Sequence, residues 1–298
     1  MSTERQSIEV PSDPSRLPMT LPRLHEKKRL GEPIVMVTAY DFPSARAAEA
    51  GGVDLVLVGD SGAMTVLGYP STVAVEVDEI LVLAKAARRG LKTPFLIVDL
   101  PFGSYEISDE QAITTALRFV KEAGCDCVKL EGGGPMALAR ATAIVGAGIP
   151  VMGHVGLTPQ TSVSLGGWKA QGRNAASAQR IAREALALQE AGCFALVFEA
   201  IPSAVAAEIM ALIEIPVIGI GAGAATDGQV LVFHDLLGIR EGVGARFVKR
   251  YADIQDEMNA GVAAYAEDVR ARRYPGPEHG YSIDEDELAA FRAALAQR

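Results

Sequence analysis

The sequence predicts an α/β protein folded as a (β/α)8 TIM barrel, and three observations predict it. Seven short runs rich in Val and Ile are apolar on both faces, as parallel strands covered on both sides read. They are Ile34–Ala39, Asp54–Gly59, Phe95–Leu100, Asp126–Glu131, Pro150–Val155, Phe194–Glu199 and Pro216–Ile220; an eighth, weaker candidate lies among Gln229–Phe233 and Arg246–Lys249. Longer amphipathic stretches separate the runs. The third observation is a weak internal repeat. Glu49-Ala50-Gly51-Gly52, Glu122-Ala123-Gly124-Cys125 and Glu190-Ala191-Gly192-Cys193 each end a helix with Gly and turn directly into an apolar run. Their starts lie 73 and 68 residues apart, which is too long for a solenoid and fits two βα units per period. A doubly wound open sheet is the competing architecture. No G-x-G-x-x-G follows the first run, which counts against it.

Taken in order, residues 1–18 are polar and Pro-rich and read as a loose, flexible arm. They lack an apolar h-region and carry Glu4, Glu9 and Asp13, so they resemble neither a signal nor a transit peptide. Residues 19–298 read as one barrel domain with C-terminal helices. Ser108-Asp109-Glu110-Gln111 is a capping-box pattern, followed by Ala112, Ala116, Phe119, Val120 and Ala123 at helical spacing, with Gly124 as the stop. Ala141–Trp168 has no Asp, Glu, Lys or Arg but is broken by Gly and Pro. It reads as a buried strand and a long loop, not as a membrane span. From Asp253 the chain reads as a helix, a turn at Tyr274-Pro275-Gly276-Pro277 and a polar helix.

A chain of 298 residues can bury a core without disulfides. Cys125, Cys127 and Cys193 lack zinc-site spacing and read as small buried apolar residues of a reducing, cytoplasmic compartment. The net charge of −9 argues against nonspecific contact with nucleic acid or an anionic membrane.

Five consecutive runs carry an ionisable group at their C-terminal end: Asp60 beside Ser61, Asp99, Lys129 with Glu131, His154 and Glu199. In a barrel that end is the mouth of the active site. Asp60, Asp99 and Glu131 are hard oxygen ligands with no soft ligand nearby, a set that suits Mg2+. Lys129 and Glu131 share one face of a strand. Lys129 either only pairs with Glu131 or also receives a substrate carboxylate or enolate oxygen. Glu199 ends an otherwise apolar strand, a setting that suits a general base. His154 reads equally as a substrate hydrogen-bond donor beside a metal site or as a structural histidine, and His234 reads as structural. Gly219-Ile220-Gly221-Ala222-Gly223 is either a phosphate cradle or a close-packed loop. Trp168 could stack on a flat ring, but reads more readily as a packing plug.

From Met19 to Tyr281 the chain resembles the ketopantoate hydroxymethyltransferase family. The resemblance rests on Val37-Thr38-Ala39-Tyr40-Asp41, Gly59-Asp60-Ser61, Asp99-Leu100-Pro101-Phe102-Gly103, Val128-Lys129-Leu130-Glu131-Gly132-Gly133, Gly153-His154-Val155-Gly156-Leu157-Thr158-Pro159-Gln160 and Asp227-Gly228-Gln229-Val230. It implies a homodecameric, Mg2+-binding barrel that transfers a hydroxymethyl group from 5,10-methylenetetrahydrofolate to 3-methyl-2-oxobutanoate, giving 2-dehydropantoate. By position it makes Asp60, Asp99 and Glu131 the metal ligands. It makes Asp60, Ser61, Asp99 and Lys129 contacts to the keto acid and Glu199 the proton acceptor; His154 is a further candidate contact by its strand-end position alone. Gly62-Ala63, Pro70 and Ala200 depart from the family pattern, which continues with Leu-Gly, an acidic residue and Cys. Two other readings share the barrel: a magnesium enolate lyase or mutase of the phosphoenolpyruvate mutase type, and a noncatalytic metabolite-binding barrel.

Overall fold

The computed structural model describes residues 16–240, 242 and 244–297. They form two compact units, one ending at Tyr251 and one running from Ala252. The reading of 19–298 as one domain does not mark this division, because the sequence shows no linker there. Residues 1–15 of the expected arm lie outside the described residues. Arg16, at its end, hydrogen-bonds the Val53 carbonyl.

The first unit is a closed barrel of eight strands in chain order. They are β1 (Ile34–Thr38), β2 (Leu55–Val58), β3 (Phe95–Asp99), β4 (Cys127–Lys129), β5 (Val151–Gly156), β6 (Ala195–Glu199), β7 (Val217–Ile220) and β8 (Gly228–Leu231). Each of the seven predicted runs holds one strand. The eighth is the earlier candidate; residues 246–249 form none. All pairs are parallel, and β8 closes on β1 with Ile34 opposite Gly228 and Val37 opposite Leu231. Closure leaves no open strand edge.

Alternation along the strands separates two cores. Leu55, Leu57, Phe95, Ile97, Cys127, Met152, Val197 and Ile218 cluster inside the barrel, joined by Met19 and by Leu24 of helix Leu21–Leu30. The intervening Val56, Val58, Leu96, Val98, Val128, Val151, Leu196 and Phe198 pack with helix residues such as Ile80, Leu83 and Ile181. Burial on both faces is why these strands read as unbroken apolar runs. All three cysteines are buried and unpaired, as expected.

The repeat is a chain-direction device. Gly52, Gly124 and Gly192 adopt φ of 71°, 68° and 92°. This left-handed backbone ends a helix and aims the chain into β2, β4 or β6. Ser108 caps helix Asp109–Arg118, its hydroxyl accepting the Gln111 N–H at 3.1 Å. The other half of the predicted box is redirected: Gln111 accepts from Ile107 N–H at 3.0 Å.

One alternation is missing. Residues 221–227 alone join β7 to β8, although parallel neighbours ordinarily need a dozen or more residues with a helix. The short return is anchored by Asp227, whose Oδ2 accepts Val217 N–H and Lys28 Nζ, both at 2.8 Å. With no helix there, Val35 on β1 is left 50% exposed, beside Gln229 of β8.

The second unit holds helix Ile254–Arg270, a turn ending in Pro277–His279 and helix Glu285–Leu295, as the sequence predicts. Among the described residues no helix is long and apolar enough to cross a membrane.

Candidate active site

The inward positions of the strands change character towards their C-terminal ends. On β3, Phe95 and Ile97 are followed two residues on by Asp99; on β4, Cys127 by Lys129; on β5, Met152 by His154; on β6, Val197 by Glu199. A period of two therefore carries these ionisable groups to the same interior face as the apolar layer below them. Asp60 and Ser61 follow β2, and Glu131 follows β4. All seven predicted site residues line one cavity of about 930 Å³, with Leu57, Val197, Ile220 and Val230 among its apolar walls.

The charged groups form one connected network. Lys129 Nζ lies 2.9 Å from Asp99 Oδ1 and 3.2 Å from His154 Nδ1. His154 Nδ1 is 3.5 Å from Glu131 Oε1, and its Nε2 is 3.2 Å from Glu199 Oε2. Asp99 Oδ2 accepts the Asp60 N–H at 3.1 Å. Ser61 Oγ stands 2.8 Å from the Tyr40 hydroxyl. Asp60, Asp99, Lys129, Glu131 and His154 are all buried.

Burial shapes the charges first. It pushes Asp60 well above the usual carboxylate range, and the charges of Asp99 and Glu131 push it further. It raises Asp99 as well, against the pull of Lys129. Burial would also raise Glu131, but His154, Lys129 and the Gln160 amide outweigh it and hold that group low. Lys129 stays charged because the surrounding carboxylates outweigh its own desolvation. Burial and Lys129 lower His154, Glu131 and Glu199 raise it, and the carboxylates win, bringing it to about 9.

The site thus sets four carboxylates, of Asp60, Asp99, Glu131 and Glu199, against two cations. The acidic groups outnumber the basic ones, and they present hard oxygen atoms. That chemistry fits a divalent cation such as Mg2+. Among the described residues, no three His, Cys, Asp or Glu side chains stand together as a ready-made metal site.

The profile of the ketopantoate hydroxymethyltransferase family matches residues 18–277. The chain belongs to that family. It is 48% identical to 3-methyl-2-oxobutanoate hydroxymethyltransferase 1, mitochondrial, of Arabidopsis thaliana, over 96% of this chain and 84% of that protein. It is 49% identical to the 3-methyl-2-oxobutanoate hydroxymethyltransferase of Moorella thermoacetica, over 88% of this chain and 97% of that protein. Among solved structures, phosphonopyruvate hydrolase aligns with a TM-score of 0.58 at 12% identity, over 94% of this chain and 97% of that one. The likeness at such identity concerns the fold. Membership in the ketopantoate hydroxymethyltransferase family makes the chain an enzyme, a transferase of hydroxymethyl groups to 3-methyl-2-oxobutanoate in pantothenate biosynthesis.

One departure from the family pattern has a local explanation. A Cβ on Gly62 would meet Tyr40 Cδ1 at 2.7 Å, so the Tyr40 ring occupies the room a larger residue would need. Ala200 follows Glu199 with φ of 49°, a left-handed conformation that is rare for a residue with a side chain. Nothing in the structure explains Pro70.

Other candidates resolve by packing. Gly221 and Gly223 lie against the Phe247 ring and Ser203, in keeping with the close-packed reading. The His234 ring packs tilted against that of Tyr40, with centroids 5.5 Å apart and 49° between the planes. Trp168 is 56% exposed at the cavity wall, so it plugs no core.

Three residues escaped the sequence reading. Gln160 is buried and bonded to the Asp60 and Glu131 carboxylates, and Tyr105, also buried, bonds the Gln160 amide and the Glu131 backbone. Thr72, also buried, faces the cavity with its hydroxyl unpartnered. All three sit on loops, where polar residues are commonplace and carry no pattern.

Proposed function

We propose that this enzyme draws its one-carbon unit from 5,10-methylenetetrahydrofolate and proceeds through enolisation of 3-methyl-2-oxobutanoate, with Glu199 as the base. The observation that carries this reading is the pairing of Glu199 Oε2 with His154 Nε2 at 3.2 Å, in a cavity whose lining includes Leu57, Val197 and Ile220. A carboxylate paired at one oxygen with the His154 ring keeps its second oxygen for the C3 proton. These apolar residues suit the branched side chain of the keto acid.

Lys129, fixed by Asp99, faces the same space and would balance the enolate oxygen as charge develops. Asp60, Asp99 and Glu131 would hold Mg2+, and Ser61 would add a hydrogen bond to the keto acid. When bound, the cation supplies Lewis acidity that polarises the keto group and acidifies C3–H. Glu199 takes the C3 proton and a carbon–carbon bond forms between C3 and the methylene carbon. The donor's carbon–nitrogen bonds break and water supplies the hydroxyl, while water's remaining proton and the one held by Glu199 go to the two folate nitrogens, so that tetrahydrofolate leaves with 2-dehydropantoate. A cytoplasmic location and a homodecameric assembly belong to the same reading.

Proton NMR of 3-methyl-2-oxobutanoate in D2O, with enzyme and Mg2+, tests it. C3–H should exchange without folate, and 2-dehydropantoate should form only with 5,10-methylenetetrahydrofolate. Glu199→Gln should remain folded and lose exchange by roughly 10²–10⁴-fold. Undiminished exchange in that variant removes Glu199 from the role. Exchange with no folate-dependent product points to a lyase or mutase, and binding without exchange to a noncatalytic barrel.

A further inference from the structure

Gln160 lies on the turn Pro159–Thr161 after β5, wholly inside the protein. Its amide is saturated. Nε2 donates to Asp60 Oδ2 and to the Leu100 carbonyl, each at 2.9 Å. Oε1 accepts the Tyr105 hydroxyl at 2.7 Å. Its backbone N–H donates to Glu131 Oε2 at 3.0 Å. Tyr105 in turn accepts the Glu131 N–H at 3.3 Å.

The bonds have a forced direction. The Tyr105 oxygen receives a proton from Glu131 N–H, so its own proton goes to Gln160 Oε1. That fixes the other end of the amide, with both its protons, towards Asp60 and Leu100. Among side chains of this size only a primary amide offers an acceptor at one end and two donors at the other. One residue thereby takes one oxygen from each of two carboxylates that come from different strands. Asp60 Oδ1 and Glu131 Oε1 remain for the cavity side, the latter 3.5 Å from His154.

We propose that Gln160, oriented by Tyr105, is a positioning residue that sets which oxygens of Asp60 and Glu131 face the bound cation and keto acid. This rests on the reading of those two carboxylates as cation-binding. Hydrogen-bond partners of metal-binding carboxylates typically affect affinity or activity by about 10–100-fold when removed.

The test uses the full-length, metal-free protein with Mn2+ as probe, titrated calorimetrically, beside kcat, KM and thermal unfolding. Gln160→Met should weaken Mn2+ binding by roughly 10–100-fold and lower kcat more than it raises KM. Tyr105→Phe keeps the amide but frees its orientation, and should shift both readouts the same way by a smaller factor. The double variant should be no worse than Gln160→Met alone, because the two residues act in series. Both variants losing thermal stability, with Mn2+ affinity and kcat unchanged, would overturn the proposal in favour of a purely structural role. If Gln160→Met does not fold, unchanged affinity and kcat in Tyr105→Phe overturn it equally. Asp60→Asn separates the two levels. Undiminished Mn2+ binding there defeats the cation reading itself, whereas weakened binding there with unaltered Gln160 and Tyr105 variants defeats only the positioning role.

Discussion

Asp54, Asp126 and Asp227 at the N-terminal end of the barrel and Asp60, Asp99 and Glu131 at the C-terminal end are the same chemistry in opposite electrostatic situations. At the N-terminal end each carboxylate accepts the N–H of a neighbouring strand and has its own cation. Asp54 takes Val35 N–H at 2.9 Å and faces Lys27 at 3.5 Å. Asp126 takes Leu96 N–H at 2.7 Å and faces Arg88 at 3.3 Å. Asp227 does the same with Val217 and Lys28. At the C-terminal end the carboxylates are buried and outnumber their cations, and Asp60 is driven towards its neutral form. The first end holds register; the second gathers acidic groups at close quarters, most unfavourably at Asp60. Barrels divide labour between stability and chemistry along the same axis.

The largest effect that could break this comparison is at Asp60. Its raised pKa means the ionised form opposes folding. Asp60→Asn keeps an oxygen for Gln160 and removes the charge. Turnover should fall by roughly 10²–10³-fold, while the metal-free variant unfolds at the same temperature as the parent or higher. A clear loss of thermal stability would show that Asp60 is a structural carboxylate like those at the other end.

Asp126→Ala should do the reverse. It leaves the buried Leu96 N–H without its acceptor, at a cost of about 1–3 kcal/mol, read from the urea midpoint. Turnover of the folded protein should stay within about twofold, since surplus charge at the mouth is untouched. A large kcat loss with little stability change would mean that the two ends are coupled through β3, which carries both Leu96 and Asp99.

The sequence made the chemical end more legible than the structural detail around it. Asp99, Lys129, His154 and Glu199 each terminate an apolar run, so two-residue periodicity alone gathers them at one mouth. Gln160 and Tyr105 act from loops, and their partners, 55 residues apart in the case of their own bond, are invisible without the fold. β8 was ambiguous for a physical reason. Its alternating buried and exposed positions reflect the missing outer helix, so it lacks the two-faced apolar signature of the other strands.

The smallest effect concerns Glu49, which belongs with the structural carboxylates. Its Oε2 accepts Lys92 N–H at 2.7 Å and Thr93 N–H at 3.0 Å, and its Oε1 accepts the Thr93 hydroxyl at 2.9 Å. These bonds tie helix Phe42–Ala50 to the entry of β3. Burial alone would raise Glu49, but the two amides and the hydroxyl outweigh it and hold the group below 4.5. The unfolded chain therefore binds the proton more readily, so this contribution is complete above pH 4.5 and is lost as pH falls through the lower folded value. Glu49→Gln should cost about 1 kcal/mol at neutral pH, with turnover unchanged. Denaturant titrations of parent and variant should converge as the pH drops below 4.5. A gap that stays constant into acid would assign the bonds to shape alone and not to the carboxylate charge, and would separate Glu49 from Asp54, Asp126 and Asp227 in kind.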